Sequence, residues 1–380
     1  MSGIENSKLN IAMFGHKRVP SREGGVEIVV EELATRMAEL SHNVTLYNRK
    51  GKHVSDANIS LDKIDSYKGV NVKSVLTIDK KGLAAVTSSF FAALRCAFSK
   101  ANVVHIHAEG PAFMTPLLKL FRKRVVVTVH GLDWRREKWS QGFASKYIKL
   151  GEKMAVRYAD EIIVLSNRVK EYFKDTYNRK TVYIPNGVNA PDVLEAELIK
   201  DEFSVEKDSY ILFLGRLVPE KGVHHLIDAF KNVKTDKKLL IVGGTSDTDD
   251  YVETLVESAK GDNRIVFAGF RQGQALQELF SNAYIYALPS LLEGMPLSLL
   301  EAMSYKNCCL VSDIAECTEV VGDKAVVVKA GDVKALTNEL QNLCDNEEIV
   351  NGYKQTAQEY ILSKYNWDDV VKRTLALYEK

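Results

Sequence analysis

Two carboxylates, Glu293 and Glu301, stand at the ends of the stretch EGMPLSLLE. An apolar, strand-like run ends just before it, so we expect Glu293 on a loop and Pro296 at the first position of a helix, where its missing N–H costs nothing. Glu301 then falls on the second helical turn. The N–H groups of residues 295–298 and the helix dipole favour an anion there, and carboxylates accept hydrogen bonds from hydroxyl groups. The pattern predicts a diphosphate site, with sugar hydroxyls towards Glu293 and ribose hydroxyls towards Glu301.

A second motif, FLGRLVPEKG, occupies residues 213–222 and places two cations after another apolar strand. Arg216 offers a planar fork for phosphate oxygens, and Lys221, expected at the start of a helix, offers a point charge. Two cations at one strand end could stabilise a departing diphosphate electrostatically. Each pair of charged residues could also be a solvated loop or helix face, and it is their combination that favours chemistry.

Several other residues have both a functional and a structural interpretation. His130 follows a buried strand and is either a site residue or structural. Gly24 and Gly25 either admit a ligand closely or only begin a helix, and the G-x-G-x-x-G spacing of dinucleotide-binding loops is absent. His105 and His107 alternate on a strand end without further metal-ligand spacing, so we interpret them as structural or cleft-lining. Asp247-Thr248-Asp249 matches a metal-binding D-x-D, but helix capping explains it better, and we predict no metal.

Apolar strand-like runs alternate with helical patterns along the whole chain, which predicts an α/β fold with two Rossmann-like, doubly wound parallel-sheet domains. Turn residues in VYIPNGVNAPDV place the boundary near residue 188. We expect an N-terminal domain of residues 1–188, a C-terminal domain of residues 189–363, and a terminal helix within residues 364–380 that completes the first domain. Ligands in such sheets bind at the carboxyl ends of the strands, so an interdomain cleft is the expected site.

Composition describes a globular chain, with 46% hydrophobic and 27% charged residues. We find no apolar run long enough to span a membrane, no signal-peptide pattern at the start, and five cysteines without metal-type spacing, which together predict a cytoplasmic location with reduced thiols. Residues 1–190 hold 31 Lys and Arg against 18 Asp and Glu, whereas the rest is acidic. A basic half attracts phosphates, anionic lipid or nucleic acid.

Two stretches of the basic half mix apolar and basic residues, KKGLAAVTSSFFAALRCAFSK (residues 80–100) and PLLKLFRKR (residues 116–124). Either could touch the inner face of an anionic membrane or a lipid-diphosphate acceptor. A core helix with basic flanks explains them equally well. The aromatic-studded basic strands of single-strand nucleic-acid binders are missing, so we predict no nucleic-acid partner.

The combination of GRLVPEKG with EGMPLSLLE resembles the retaining nucleotide-sugar glycosyltransferases of family 4, which have the GT-B fold. The resemblance extends over nearly the whole chain, through VTVHGLDW, IVLSN and IPNGV. The loop GHKRVPSREGG resembles, more weakly, the opening of bacterial rhamnosyltransferase-like proteins from capsule and surface-polysaccharide clusters.

The resemblance implies roles for particular residues. Arg216 and Lys221 would bind the donor diphosphate, Glu301 the donor ribose, and Glu293 the donor sugar in a catalytic role. His130 would lie near the donor sugar and act with Glu293. The remaining positions would meet the sugar, the diphosphate or the acceptor through the backbone, namely Gly294, Met295, Leu297, Ser298, Gly24 and Gly25.

The expected function is therefore transfer of a hexosyl group, with retention, from a nucleoside-diphosphate sugar to a hydroxyl of a lipid-linked glycan in bacterial capsule or surface-polysaccharide biosynthesis. No cofactor and no metal are expected beyond the donor substrate. Two alternatives stay open: a nucleotide-sugar epimerase on the same fold, and a non-catalytic nucleotide- or membrane-binding adaptor.

Overall fold

The computed structural model describes residues 8–50, 64–78, 80, 82–135, 142–245 and 248–380. The chain divides into two compact units. Unit 1 comprises Met1–Asn186 with Trp367–Lys380, and unit 2 comprises Gly187–Asn366. The boundary expected from sequence falls after residue 188, and the division in the structure falls after Asn186. Each unit is an α/β structure built on its own sheet.

The first strands and helices of unit 1 alternate along the chain, which is the pattern that the apolar runs predict. In chain order they are β1 (Asn10–Phe14), α1 (Gly25–Glu39), β2 (Asn43–Arg49), β3 (Ser66–Tyr67), β4 (Val70–Val75), α2 (Leu83–Ala97), β5 (Val103–His107), α3 (Thr115–Leu120), β6 (Arg124–Val129), α4 (Gly142–Tyr158), β7 (Glu161–Val164), α5 (Asn167–Tyr177) and β8 (Val182–Tyr183). Short 3-10 helices cover Pro111–Met114 and Asp133–Arg135.

The sheet of unit 1 has the order β3-β4-β2-β1-β5-β6-β7-β8 and is parallel except for β3, which pairs antiparallel with β4. The strand order reverses between β1 and β5, because β2 follows on one side of β1 and β5 on the other. Open α/β sheets bind ligands at the carboxyl ends of the strands beside such a switch point. A ligand site in unit 1 is therefore expected at the loops after β1 and β5.

The strands and helices of unit 2 repeat the alternation. They are α6 (Leu198–Phe203), β9 (Tyr210–Leu214), a 3-10 helix (Pro219–Lys221), α7 (Val223–Phe230), β10 (Lys238–Val242), α8 (Asp249–Ala259), β11 (Ile265–Gly269), α9 (Gln274–Ser281), β12 (Ile285–Leu288), α10 (Leu297–Ser304), β13 (Cys308–Ser312), α11 (Ala315–Val321), β14 (Val326–Val328), α12 (Val333–Asp345) and α13 (Glu347–Lys364). The sheet is wholly parallel, in the order β11-β10-β9-β12-β13-β14. Its switch point lies between β9 and β12.

The last helix, α14 (Trp367–Tyr378), belongs to unit 1. Its Tyr378 hydroxyl lies 2.6 Å from His105 Nδ1, and Arg124 Nε donates to the Leu377 carbonyl at 2.8 Å. Thr128 Oγ1 lies 2.7 Å from His105 Nε2, so both ring nitrogens of His105 have a partner. His105 therefore has the structural role that the sequence suggests for it, since it ties the terminal helix to the sheet.

Two local expectations are wrong by a few residues, each for a backbone reason. Lys221 does not begin a helix. The next residue, Gly222, has a φ of +67°, which is not a helical conformation, so α7 starts at Val223. Pro296 is the N-cap of α10 rather than its first helical residue, since its ψ of 103° is extended. Its carbonyl accepts the N–H groups of Leu299 and Leu300, at 3.1 Å and 3.3 Å.

All five cysteines are free thiols, and four of them are buried. Burial raises the pKa of Cys96, Cys308, Cys309 and Cys317, so these thiols stay protonated at neutral pH. Within the ranges that the structure describes, no helix is both long and apolar enough to cross a membrane.

Candidate active site

A largely buried ion pair joins the two motifs of unit 2. Lys221 Nζ lies 2.6 Å from Glu293 Oε1, and the two side chains are 13% and 7% exposed. Ser290 Oγ donates to the same carboxylate oxygen at 2.7 Å. Both hydrogen bonds fall on Oε1, so Oε2 is the oxygen that the described residues leave for a ligand hydroxyl. A carboxylate held in this way has a fixed orientation before any ligand arrives.

The backbone brings the two motifs into contact. Gly222 lies so close to Pro289 that a Cβ on the glycine would be 2.2 Å from the proline carbonyl oxygen. The Leu291 N–H donates to the Glu220 carbonyl at 2.8 Å, which ties the second loop to the first. Because β9 and β12 are neighbours, the segments that follow them meet at the switch point of the sheet. The fold thus places Lys221 and Glu293 where a doubly wound sheet binds its ligand.

The loop that carries Glu293 leads into helix α10, which begins at Leu297, four residues later. Gly294 and Met295 are buried, and Leu297 and Ser298 form the first turn. The N–H groups of a first turn have no intrahelical acceptor, and with the helix dipole they favour an anion. Tyr286 fixes this turn, since its buried hydroxyl lies 2.8 Å from Ser298 Oγ and 3.3 Å from the Leu214 carbonyl oxygen. The backbone of Ser298, rather than its hydroxyl, is therefore the group suited to a ligand.

Arg216 and Glu301 flank this centre in sequence. Arg216 is half-buried, two residues after the end of β9, and its carbonyl accepts the Val218 N–H at 3.0 Å. Glu301 is half-buried on α10, where its carbonyl accepts the Ser304 hydroxyl at 2.7 Å. The structure thus puts all four predicted charged residues on the loops and the helix beside one switch point. Ser290, Gly222 and Tyr286 are supporting residues that the sequence reasoning missed. Of these three, Gly222 could have been found from the sequence, because it directly follows Lys221.

In unit 1, His130 follows β6 directly and is 9% exposed. Its Nε2 lies 3.0 Å from His107 Nδ1, and the two rings stack at a centroid distance of 5.3 Å. Burial, reinforced by the neighbouring histidines, holds the pKa of His107 well below its usual value, so that ring is neutral at pH 7. A neutral, buried partner fixes the orientation of the His130 ring. His107 thus orients His130, and the structural or cleft-lining role expected for it stays a prediction.

Gly24 and Gly25 lie at the N-terminus of α1, where Gly24 is the N-cap and Gly25 the first helical residue. A Cβ on Gly24 would lie 2.4 Å from Glu27 Oε2, and Glu27 Oε1 accepts the Lys17 N–H at 2.8 Å. The Glu27 carboxylate therefore ties the helix start to the loop after β1. A role of the two glycines towards a ligand stays a prediction.

The described residues contain no group of three or more His, Cys, Asp or Glu side chains placed to hold a metal ion. Asp247 of the D-x-D sequence lies outside the described residues. Thr248 is the N-cap residue of α8, and its hydroxyl donates to the Leu217 carbonyl at 2.7 Å instead of capping the helix. Asp249 is the first residue of α8.

Comparison with known proteins matches both units. Residues 195–360 match the family model described as "Glycosyl transferases group 1", and residues 23–190 match "Glycosyltransferase Family 4". An uncharacterized glycosyltransferase of Methanocaldococcus jannaschii is 27% identical, with 98% of each chain covered. The UDP-Gal:alpha-D-GlcNAc-diphosphoundecaprenol alpha-1,3-galactosyltransferase of Escherichia coli is also 27% identical, over 72% of this chain and 73% of the relative.

Solved structures show the same fold. Sucrose-phosphate synthase of Thermosynechococcus elongatus superposes with a TM-score of 0.83 at 20% identity, covering 98% of both chains. HepE of Anabaena, solved in complex with UDP and glucose, superposes with a TM-score of 0.80 at 15% identity, covering 97% of this chain and 98% of that one.

Two parallel-sheet units, with a charged centre at the switch point of the second, define a glycosyl-transferring enzyme of the GT-B fold. The two family models together cover most of the chain and show that it is a glycosyltransferase, with the group 1 match inside unit 2 and the family 4 match almost wholly inside unit 1.

Proposed function

We propose that this enzyme transfers a hexosyl group, with retention, from a nucleoside-diphosphate sugar to a hydroxyl of a lipid-diphosphate-linked glycan in bacterial surface-polysaccharide biosynthesis. Unit 2 binds the donor and the basic unit 1 binds the acceptor. The rhamnosyltransferase-like loop after β1 makes a deoxyhexose one of the sugars to test. The name of the Escherichia coli relative, which gives an acceptor linked to diphosphoundecaprenol, supports the acceptor class.

The ion pair between Lys221 and Glu293 is the observation that carries this proposal. It places a cation, a carboxylate and the first turn of α10 at one switch point. Lys221, with Arg216, suits the charge of a diphosphate, and the first-turn N–H groups add further donors. Glu293 Oε2 accepts a donor-sugar hydroxyl, and Glu301 accepts the ribose hydroxyls. HepE of Anabaena was solved in complex with UDP and glucose, which supports a uridine donor as the first to test.

Retention on one face of the sugar suits this set of residues. Glu293 is already bonded to Lys221 and Ser290 through Oε1, which makes it a positioning carboxylate rather than an unpaired nucleophile. The departing diphosphate, neutralised by Arg216 and Lys221, accepts the proton of the incoming hydroxyl as the new glycosidic bond forms on the same face. A place for His130 beside the donor sugar stays part of this proposal. Electrostatic stabilisation of the leaving group is then the main contribution of the protein.

A lipid-linked acceptor requires the enzyme to approach a membrane, and unit 1 has a surface of that chemistry. Phe98 and Leu120 are 72% and 78% exposed, and Phe98 contacts Phe121 edge-to-face at a centroid distance of 4.8 Å. Lys100 and Arg122 are exposed neighbours in sequence. Exposed apolar side chains accompanied by cations favour an anionic lipid surface. This surface supports the proposal that the enzyme works at the inner face of the cell membrane.

Three basic residues of PLLKLFRKR are excluded from this surface, because they already have internal partners. Lys119 pairs with Asp160 at 2.7 Å, and Lys123 donates to the carbonyls of Ser99 and Ala101 at 2.8 Å and 2.9 Å. Arg124 donates to α14, as described above. Among the basic residues of this stretch, Arg122 alone is exposed. Sedimentation with anionic vesicles should fall in the double variant Phe98→Ser/Leu120→Ser. It should be unchanged in Leu198→Ser, which replaces an exposed leucine of unit 2. Equal sedimentation of the parent enzyme and both variants would exclude this surface.

The proposal is tested by incubating the enzyme with UDP-, GDP- and dTDP-sugars and diphosphoundecaprenol-linked monosaccharides. Nucleoside diphosphate release that depends on acceptor, with a product of unchanged anomeric configuration by NMR, supports it. A C2 epimer released without acceptor would establish the epimerase alternative, and binding without turnover the adaptor. We propose a metal-independent reaction, so EDTA should leave the rate unchanged, and restoration by Mg²⁺ of an EDTA-abolished rate would contradict that part.

A further inference from the structure

At the carboxyl ends of the unit 1 strands, four buried polar atoms have no hydrogen-bond partner among the described residues. They are His16 Nδ1, Arg49 Nε, His107 Nε2 and the Tyr147 hydroxyl. His16 and His107 follow or end β1 and β5, the strands of the switch point, and Arg49 ends β2 beside them. Buried polar groups are nearly always paired, so a set of four at a switch point indicates a ligand.

Backbone contacts hold these residues around one spot. A Cβ on Gly15 would lie 2.0 Å from the His107 carbonyl oxygen, so the ends of β1 and β5 touch. Arg49 Nη2 donates to the Gly15 carbonyl at 3.3 Å, which holds the guanidinium over the same turn. Tyr147 comes from α4, which packs on the loop after β5, since a Cβ on Gly110 would lie 3.6 Å from the Tyr147 ring.

The tautomer of His16 follows from its neighbour Asn48. The Asn48 amide is oriented by Val19, whose N–H donates to Oδ1 at 3.1 Å and whose carbonyl accepts from Nδ2 at 2.9 Å. Oδ1 is thus an acceptor, and His16 Nε2, 2.9 Å away, must be the protonated nitrogen. Burial lowers the pKa of His16 to about 4, so the ring is neutral at pH 7. His16 Nδ1 therefore presents a lone pair that can accept a hydroxyl proton in a hydrogen bond.

Arg49 and Tyr147 present the opposite character. Arg49 can only donate, and Tyr147 can donate its phenolic proton. Burial raises the pKa of Tyr147 to about 12, while the Arg49 charge acts to lower it, so the hydroxyl is protonated at pH 7. The Glu27 carboxylate is the nearby opposite charge, and its Oε1 accepts the Lys17 N–H. A charged donor beside a neutral donor is suited to an oxyanion.

We propose that His16, Arg49 and Tyr147 form a subsite for a sugar that carries an oxyanion, either a phosphate or a carboxylate. Arg49 Nε and the Tyr147 hydroxyl donate to the oxyanion, and His16 Nδ1 accepts a hydrogen bond from a hydroxyl of the same molecule. The assignment rests on the proposed function, since it makes this subsite part of the acceptor site. The oxyanion and the reacting hydroxyl then belong to the same acceptor molecule and lie within a short distance of each other.

The test is titration of the full-length enzyme, saturated with UDP, with inorganic phosphate and separately with acetate, by calorimetry. We expect one saturable site that weakens at least about tenfold in Arg49→Gln and about threefold to tenfold in Tyr147→Phe. Lys146→Gln is the matched control, because it removes one charge from an exposed position on the helix of Tyr147. A response to phosphate indicates a phosphorylated sugar, and a response to acetate alone a uronic acid. Equal binding by Arg49→Gln, Tyr147→Phe and the parent would overturn the subsite.

Two further readouts keep the inference distinct from the proposed function. UDP binding should be unchanged in Arg49→Gln, because Arg49 is assigned to the acceptor and not to the donor. A parent enzyme that does not bind UDP would contradict the donor site and leave the subsite standing. If Arg49→Gln fails to fold, Arg49→Lys and Tyr147→Phe replace it. Imidazole ¹⁵N NMR should show His16 protonated at Nε2, with an Nδ1 signal that moves on adding glucose 1-phosphate. A His16 ring protonated at Nδ1 would overturn the hydroxyl assignment.

Discussion

Lys221 Nζ lies 2.6 Å from Glu293 Oε1, although 72 residues separate them in the chain. The pair is largely buried, and removing one member of such a pair typically costs about 3–5 kcal/mol because the other charge is left uncompensated. The same two residues are assigned to the donor diphosphate and the donor sugar. Stability and catalysis are therefore coupled at this point, and experiments on either residue must measure both.

Removal of both charges should destabilise unit 2 by less than the sum of the two single removals. We expect Lys221→Met and Glu293→Gln each to lower the free energy of unfolding by about 2–4 kcal/mol, and the double variant to lose less than the sum. All three should lose at least about a hundredfold in kcat. Urea unfolding followed by circular dichroism, with steady-state kinetics, gives both quantities. Additive losses of stability would show that the two groups do not interact.

Gly222 should tolerate no side chain, because its φ is +67° and a Cβ would meet the Pro289 carbonyl oxygen. Gly261 is a matched control, with a φ of +89° and nothing within 4 Å of its Cβ position. Gly261→Ala should cost about 1 kcal/mol from backbone strain alone. Gly222→Ala should cost clearly more and should also lower kcat, since the loop that carries Glu293 must move. Thermal unfolding and kinetics of the two variants compare them directly, and equal effects would contradict the close packing described here.

Glu301 and Glu293 should affect different kinetic constants. Glu301→Ala removes acceptors for the ribose, so it should raise the donor KM about tenfold to a hundredfold with a smaller change in kcat. Glu293→Gln should mainly lower kcat. Glu253→Ala, an exposed glutamate on α8, controls for the loss of one negative charge from unit 2. Similar small effects of Glu301→Ala and Glu293→Gln on both constants would refute the assigned roles.

Unit 1 should lose stability as the pH falls below about 6.5. Burial lowers the pKa of His16 to about 4 and that of His105 to about 3, and it lowers the pKa of His107 as well. The unfolded chain binds more protons between the folded and unfolded pKa values, so acid favours unfolding. Each histidine contributes up to about 1.4 kcal/mol per pH unit in that window.

The pH effect can be read from unit 1 alone, because the three tryptophans of the chain, at positions 134, 139 and 367, fall within its ranges. Tryptophan fluorescence during urea unfolding at pH 7, 6 and 5 should show a falling midpoint. His105→Gln should flatten the dependence in part, as one of the histidines with a lowered pKa no longer titrates. A midpoint independent of pH would contradict the neutral histidine cluster.

Much of this fold could be predicted from sequence because buried parallel strands are continuous apolar runs. The runs around Ile11, Val126 and Leu240 each became an interior strand of a sheet. The short hairpin of β3 and β4 was not predicted, since it has only two residues in one strand and follows a polar stretch. Pro296 shows the usual limit at helix ends, where the proline suits either the cap or the first turn.

The four charged residues of unit 2 could be proposed as site candidates from the sequence, because residue type and spacing indicate them. The partners of these residues could not be predicted. The pairing of Lys221 with Glu293 depends on β9 and β12 being neighbours, which local sequence does not encode. The tautomer of His16 depends on Asn48 and Val19, and its importance appears only when unpaired buried atoms are located.

The most direct test of the donor site is a thermal-shift titration with UDP, GDP, dTDP and ADP, with NAD and S-adenosylmethionine as controls, on the parent enzyme and Lys221→Met. A nucleoside diphosphate at about 100 times its dissociation constant adds roughly 2.7 kcal/mol to the folded state. We predict a clear rise in Tm with one of the four and a much smaller rise in Lys221→Met. No rise with any nucleoside diphosphate, or a rise with NAD alone, would contradict the site built on Arg216, Lys221, Glu293 and Glu301.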